Sequence, residues 1–88
     1  MSQKATFRLE IRYCVSWNYK PRAASLADKL QDEFECEVTT IQGNRGEFSV
    51  WIYVSSLEPV RIIEKEGYNF PDPESVVKAL DAYLDSIA

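Results

Sequence analysis

From Phe7 to Tyr13 the chain alternates without exception: Phe7, Leu9, Ile11 and Tyr13 are apolar, and Arg8, Glu10 and Arg12 stand between them. A period of two is that of a β-strand with one face buried and one face wet. Shortly afterwards the period changes. Between residues 18 and 34 the apolar positions Ala23, Leu26, Ala27, Leu30 and Phe34 fall on one helical stripe, while Arg22, Ser25, Asp28, Lys29 and Asp32 fall on the other side. Asn18 is the candidate N-cap, and Pro21 is tolerated in the first turn, where its missing N–H costs no hydrogen bond. A strand that feeds a helix after so short a link restricts the fold to the α/β kind.

The remaining segments extend the pattern. Residues 36 to 41, CEVTTI, are short and rich in β-branched side chains, and the turn QGNRG separates them from EFSVWIYV at 47 to 54. There Phe48, Val50, Ile52 and Val54 share one face, and Ser49, Trp51 and Tyr53 share the other. After SSLEP, residues 60 to 65 predict a fourth strand, and GYNFP leads to a last helix with Asp72 as cap and Pro73 at its first position. Val76, Val77, Leu80, Tyr83, Leu84 and Ile87 are expected to face inward. The order is β-α-β-β-β-α. A right-handed crossover makes the first two strands parallel, the short turns predict antiparallel neighbours, and both helices pack on one face of a four-stranded mixed sheet. The opposite face, with Trp51 and Tyr53, is predicted to be open, either packed on the stems of Arg8 and Arg12 or covered by a protein partner or a second copy.

Eighty-eight residues with 45% apolar and 27% charged content predict one domain over 1–88 with a single modest core, folded almost end to end apart from Met1 to Ala5. The net charge is −4, which argues against nucleic acid and anionic membranes as partners, since both select a basic surface. No apolar run reaches the ~18 residues of a membrane span and MSQKATF lacks the core of a signal peptide, so a cytoplasmic location is expected. Histidine is absent, which removes Ser-His and Cys-His pairs within the chain. Two cysteines are too few for a thiolate zinc site, and no metal or resident cofactor is expected. The surviving intrinsic nucleophile is a thiol.

Cys14 stands between the first strand and the first helix, at the strand end where α/β folds gather their functional groups. The helix N-terminus and the neighbouring Arg12, Lys20 and Arg22 are expected to favour its thiolate. Tyr13, Val15, Ser16 and Trp17 line the same stretch. Cys36 begins the second, parallel strand at the opposite end of the sheet, ~15–20 Å away, so no disulfide with Cys14 is expected and Cys36 reads as a core thiol.

The string I-x-Y-C-x-x-W-x-Y-K-P-R, followed by an amphipathic helix, GEFSV and FPD, resembles selenoprotein W and its bacterial relatives, the SelT/SelW/SelH or Rdx group of thioredoxin-like proteins. The likeness runs over residues 7 to 85. It implies a thioredoxin-like sandwich and thiol redox chemistry, commonly linked to glutathione as co-substrate, at a Cys-x-x-Cys or Cys-x-x-selenocysteine motif. Cys14 matches the first position of that motif, and Trp17 occupies the second. Without a second sulfur no local disulfide can close, which leaves monothiol exchange with glutathione or protein thiols, or a binding module that retains the scaffold. The resemblance also covers the Gly-Phe-Pro turn, where Tyr68 and Phe70 are candidates to line the Cys14 site.

Overall fold

The computed structural model of the chain describes residues 7–54, 58–67 and 69–87, so the expectations for Met1 to Ala5, part of the SSLEP turn and Tyr68 fall outside the described residues. Strands β1 (Phe7–Tyr13), β2 (Glu37–Gln42), β3 (Phe48–Val54) and β4 (Val60–Glu64) and helices α1 (Lys20–Phe34) and α2 (Pro73–Ile87) follow in the order β-α-β-β-β-α. They form a two-layer, thioredoxin-like α/β sandwich with both helices on one face of a mixed sheet. Neither helix is long and apolar enough to cross a membrane.

Strand order is β2-β1-β3-β4. β1 runs parallel to β2, with Leu9 beside Val38 and Tyr13 beside Gln42. It runs antiparallel to β3, with Ile11 beside Val50 and Tyr13 beside Phe48, and β3 is antiparallel to β4. The expectation of antiparallel neighbours therefore needs one correction: β2 and β3, joined by a short turn, do not pair, because β1 lies between them. The α1 crossover has already placed β2 beside β1 in parallel, and β3 takes the other edge of β1, where antiparallel pairing buries Phe48, Val50 and Ile52 under the helices.

The helix-facing sides of the strands meet the apolar stripes of the helices. Leu9, Ile11, Val50 and Ile52 from the sheet, Ala23 and Leu30 from α1 and Val76 and Leu80 from α2 are wholly buried in one cluster. Phe7 and Phe34 close its lower end edge to face, ring centroids 6.2 Å apart. Two details of the helices depart from expectation. Asn18 does not cap α1; it has φ +61° and completes a turn in which its N–H bonds the Val15 carbonyl, a left-handed position that Asn accepts readily, and Tyr19 is the flanking residue. Ile87, expected to face inward, is 40% exposed at the last residue of α2.

The face opposite the helices is wet at Arg8 and Arg61 but closed at its centre, where Glu10 and Ser49 are buried. Glu10, 8% exposed, accepts from Arg12 Nε (2.8 Å) and from the Tyr53 hydroxyl (2.9 Å), and Arg12 Nη2 donates to that hydroxyl (3.0 Å). The guanidinium of Arg12 lies over the Trp51 ring at 3.9 Å and that of Arg8 over the Tyr53 ring at 4.0 Å. Glu10 is satisfied by its neighbours, which is why this polar position of β1 is buried while Arg8 stays exposed.

The core assignment fixes a contrast between two apolar positions. Leu30→Ala is expected to cost ~2–5 kcal/mol in chemical denaturation, through lost burial and a residual cavity. Ile87→Ala is expected to stay within about 0.5 kcal/mol of the parent, as exposed substitutions do.

Candidate functional site

Because β1 and β2 are parallel, both end at the same edge of the sheet, and β3 starts there on the far side of β1. The connection 43–47 must therefore cross the end of β1, a gap of two strand spacings or ~10 Å. Its two ends are tied to β1. Gly43 N–H donates to the Tyr13 carbonyl at 2.8 Å, and Cys14 N–H donates to the Glu47 carbonyl at 2.8 Å. Between those bonds the loop passes over Cys14.

The thiol lies under it and is 1% exposed. Desolvation raises the pKa of Cys14, but hydrogen bonds from the backbone N–H groups of Gly46, Trp17 and Ser16 and from the Ser16 hydroxyl outweigh it and hold the thiol below its ordinary value. Convergent N–H groups of this kind form a nest for negative charge. Two donors come from the turn after β1 and one from the crossing loop. Gly46 has φ +77°, a conformation side chains rarely adopt, and a Cβ built there would stand 3.2 Å from Cζ3 of Trp17. Glycine is needed both to aim its N–H and to let the indole close over it.

The predicted neighbours separate into two groups. Ser16 and Trp17 are brought to the sulfur, and Val15 is exposed in the same turn. Tyr13 packs half-buried against the core. Lys20 is exposed at the first residue of α1, and Arg22 lies over the Phe70 ring at 4.1 Å. Arg12 points to the opposite sheet face. The groups that lower the Cys14 pKa are thus amides and a hydroxyl in place of the three cations expected from sequence. Gly46 was the residue missed, and the two glycines of QGNRG were its only trace in the sequence.

Beyond the thiol an aromatic cluster begins at Trp17, 43% exposed, whose ring meets Tyr19 at 6.0 Å. Tyr19 packs on Phe70 at 4.7 Å and Phe70 on Phe48 at 5.1 Å. Lys65 Nζ stands 5.7 to 5.9 Å from the rings of Trp17, Tyr19 and Phe70. An open cleft of about 530 Å³ adjoins this cluster, lined by Pro21, Arg22, Leu26, Phe48, Phe70 and Pro71 among others. Phe70 therefore shapes the ground beside the helix start. Trp51 and Tyr53 stand on the opposite sheet face under Arg12 and Arg8. Cys36 is half-buried at the other end of the sheet, next to the residue that pairs with Arg8, and both cysteines are free. Desolvation and then the charge of Glu37 push its thiol up.

A family model for the Rdx family matches residues 8–82, most of the chain. The chain belongs to the Rdx family. Its fold is similar to that of a selenoprotein W-related protein from Vibrio cholerae, with a TM-score of 0.76 at 22% identity over 92% of this chain and 100% of that one. It is similar also to a protein from Bordetella parapertussis, with a TM-score of 0.71 at 21% identity over 90% of this chain and 99% of that one. Among curated proteins none matches in sequence. Membership of the Rdx family suggests a function of the thiol-redox type.

The two thiols predict opposite pH dependences of stability. The folded-state pKa of Cys14 lies below that of the unfolded chain, so its contribution is complete above the unfolded value and is lost as pH falls through the folded-state pKa. That of Cys36 is raised, so its contribution is complete below the unfolded value and is lost as pH rises through the folded-state pKa. Compared with a Cys14→Ser/Cys36→Ser double variant, a Cys36→Ser protein is expected to gain stability as pH climbs toward the free-thiol range near ~8.5. Denaturation midpoints across a pH series measure this; parallel profiles contradict it.

Proposed function

We propose that the chain is a monothiol redox protein in which Cys14 exchanges with glutathione or with protein thiols. The observation that carries this reading is the set of amide and hydroxyl donors on the Cys14 sulfur, which stabilise a thiolate without any basic side chain. The proton leaves to water, since the chain has no histidine to take it. The thiolate then attacks one sulfur of a disulfide R–S–S–R, forms Cys14–S–S–R, and releases R–S⁻. A second, external thiolate attacks the mixed disulfide, leaves as R–S–S–R′, and returns Cys14 as thiolate. The sum of the two steps is one thiol–disulfide exchange, RSSR + R′S⁻ → RSSR′ + RS⁻, in which the sulfur of R′ is oxidised, one sulfur of R is reduced, and nothing is consumed on the protein.

Trp17 explains why both steps need outside partners. Its indole, set against Gly46, occupies the motif position from which a second sulfur would resolve the mixed disulfide. For the sulfur to be attacked or to attack, the turn 15–18 must shift, because Cys14 is sealed from solvent. Arg22, on the rim of the adjoining cleft, carries charge complementary to the carboxylates of glutathione. The same burial favours a second reading, a non-catalytic binding module that retains the fold and contacts a partner or a second copy through Trp17 or the Trp51 and Tyr53 face.

Incubation with glutathione disulfide separates the two. Cys36→Ser protein is expected to take up one glutathione per chain, mapped to Cys14 by mass spectrometry and released by dithiothreitol. The Cys14→Ser/Cys36→Ser protein takes none. A folded Cys36→Ser protein that stays unmodified while its unfolded form reacts would overturn the redox reading and leave the binding module.

A further inference from the structure

Glu47 is the residue on which the crossing loop turns. Its backbone is engaged on both sides: the carbonyl accepts Cys14 N–H at 2.8 Å and the N–H donates to the Asn44 carbonyl at 3.0 Å. Its side chain is engaged as well. Oε1 accepts the Asn44 N–H at 2.7 Å, and Oε2 accepts the Ser49 hydroxyl at 2.6 Å. Ser49 is wholly buried, and its Oγ accepts Trp51 Nε1–H at 2.9 Å. One carboxylate oxygen is thus fixed by the loop and the other by β3, through charge-assisted hydrogen bonds, the stronger kind. The carboxylate lies so close over the start of the loop that a Cβ at Gly43 would stand 2.6 Å from Oε1.

A negative charge one residue from an N–H that serves a thiolate needs a reason, since by charge alone it opposes ionisation. We propose that Glu47 is a positioning residue for the Cys14 thiol: its carboxylate clamps the 43–47 loop across the end of β1 and so holds the Gly46 N–H on the sulfur. The assignment rests on Cys14 being the working thiol. Other titratable groups around the thiol and its loop are Tyr13 on β1, Tyr19 and Lys20 at the start of α1, Arg45 on the loop, and Arg61, Glu64 and Lys65 from β4 and the residue after it. All of these stay constant in the comparison below.

Positioning and charge predict opposite signs, so substitution at Glu47 distinguishes them. The readout is the pH midpoint of the Cys14 ¹³Cβ shift in a Cys36→Ser background, which requires no access of reagent to the sulfur. Glu47→Ala is expected to raise the midpoint by about half to one pH unit, roughly a three- to tenfold weaker acid. Glu47→Gln, which keeps the length and one acceptor oxygen for Asn44, is expected to return at least half of that rise. Gly43→Ala pushes the carboxylate aside with Glu47 in place, and Ser49→Ala removes one of its donors; both are expected to shift the midpoint upward by less. These two decide the matter where Glu47→Ala fails to fold. A low parent midpoint that no variant moves, or one that falls in both Glu47 variants as loss of a nearby charge requires, overturns the assignment and leaves the redox reading standing. A parent midpoint already at the free-thiol value overturns both.

Discussion

The hydrogen bond from the Cys14 amide to the Glu47 carbonyl adds one rung to the β1–β3 ladder beyond the Tyr13–Phe48 pair, and the site depends on that rung. It follows from strand order. With β2 and β3 on opposite sides of β1, the link between them has to pass over the strand end, and the Gly43–Tyr13 and Cys14–Glu47 bonds pin it there. A hairpin between β2 and β3 would have carried the loop away from Cys14 and left the thiol with the donors of its own turn only. Topology, before any particular side chain, brings the third amide to the sulfur.

What the fold supplies at that point is polarity without formal charge. A thiolate flanked by lysine or arginine is stabilised by fields that salt screens, whereas N–H groups held within bonding distance are short-range and are screened less in a buried setting. Four of the cations are engaged elsewhere. Arg8 and Arg12 lie over Tyr53 and Trp51, Arg22 over Phe70, and Lys29 stands 3.4 Å from Glu74. On the sheet face Glu10 stays buried because Arg12 and Tyr53 both donate to it.

Much of the fold was legible because period is a local property. Alternation in Phe7 to Tyr13 and Phe48 to Val54 and the helical stripes of Ala23 to Phe34 and Val76 to Leu84 fix element types and buried faces to within a residue or so. The partner of β3 was not legible, since a short turn predicts a hairpin and only the prior claim of β2 on the other edge of β1 prevents it. At the site, Cys14, Ser16 and Trp17 could be singled out because they are contiguous. Gly46 and Glu47 could not, because their relation to Cys14 spans some thirty positions and exists only after β1 and β3 pair. Asn18 misled as a cap because the same short amide side chain suits a left-handed turn, which is how the chain uses it.

The account stands on Cys14 being the more acidic of the two thiols despite being the more deeply buried. Titrating both in one sample by their ¹³Cβ shifts, with the native chain folded throughout, measures that order directly. Deprotonation of Cys14 below the free-thiol value, ahead of Cys36 above it, is the predicted result. A Cys14 that titrates together with Cys36 or after it would mean that desolvation outweighs the amides of Ser16, Trp17 and Gly46, and the crossing loop would then be a structural connection only.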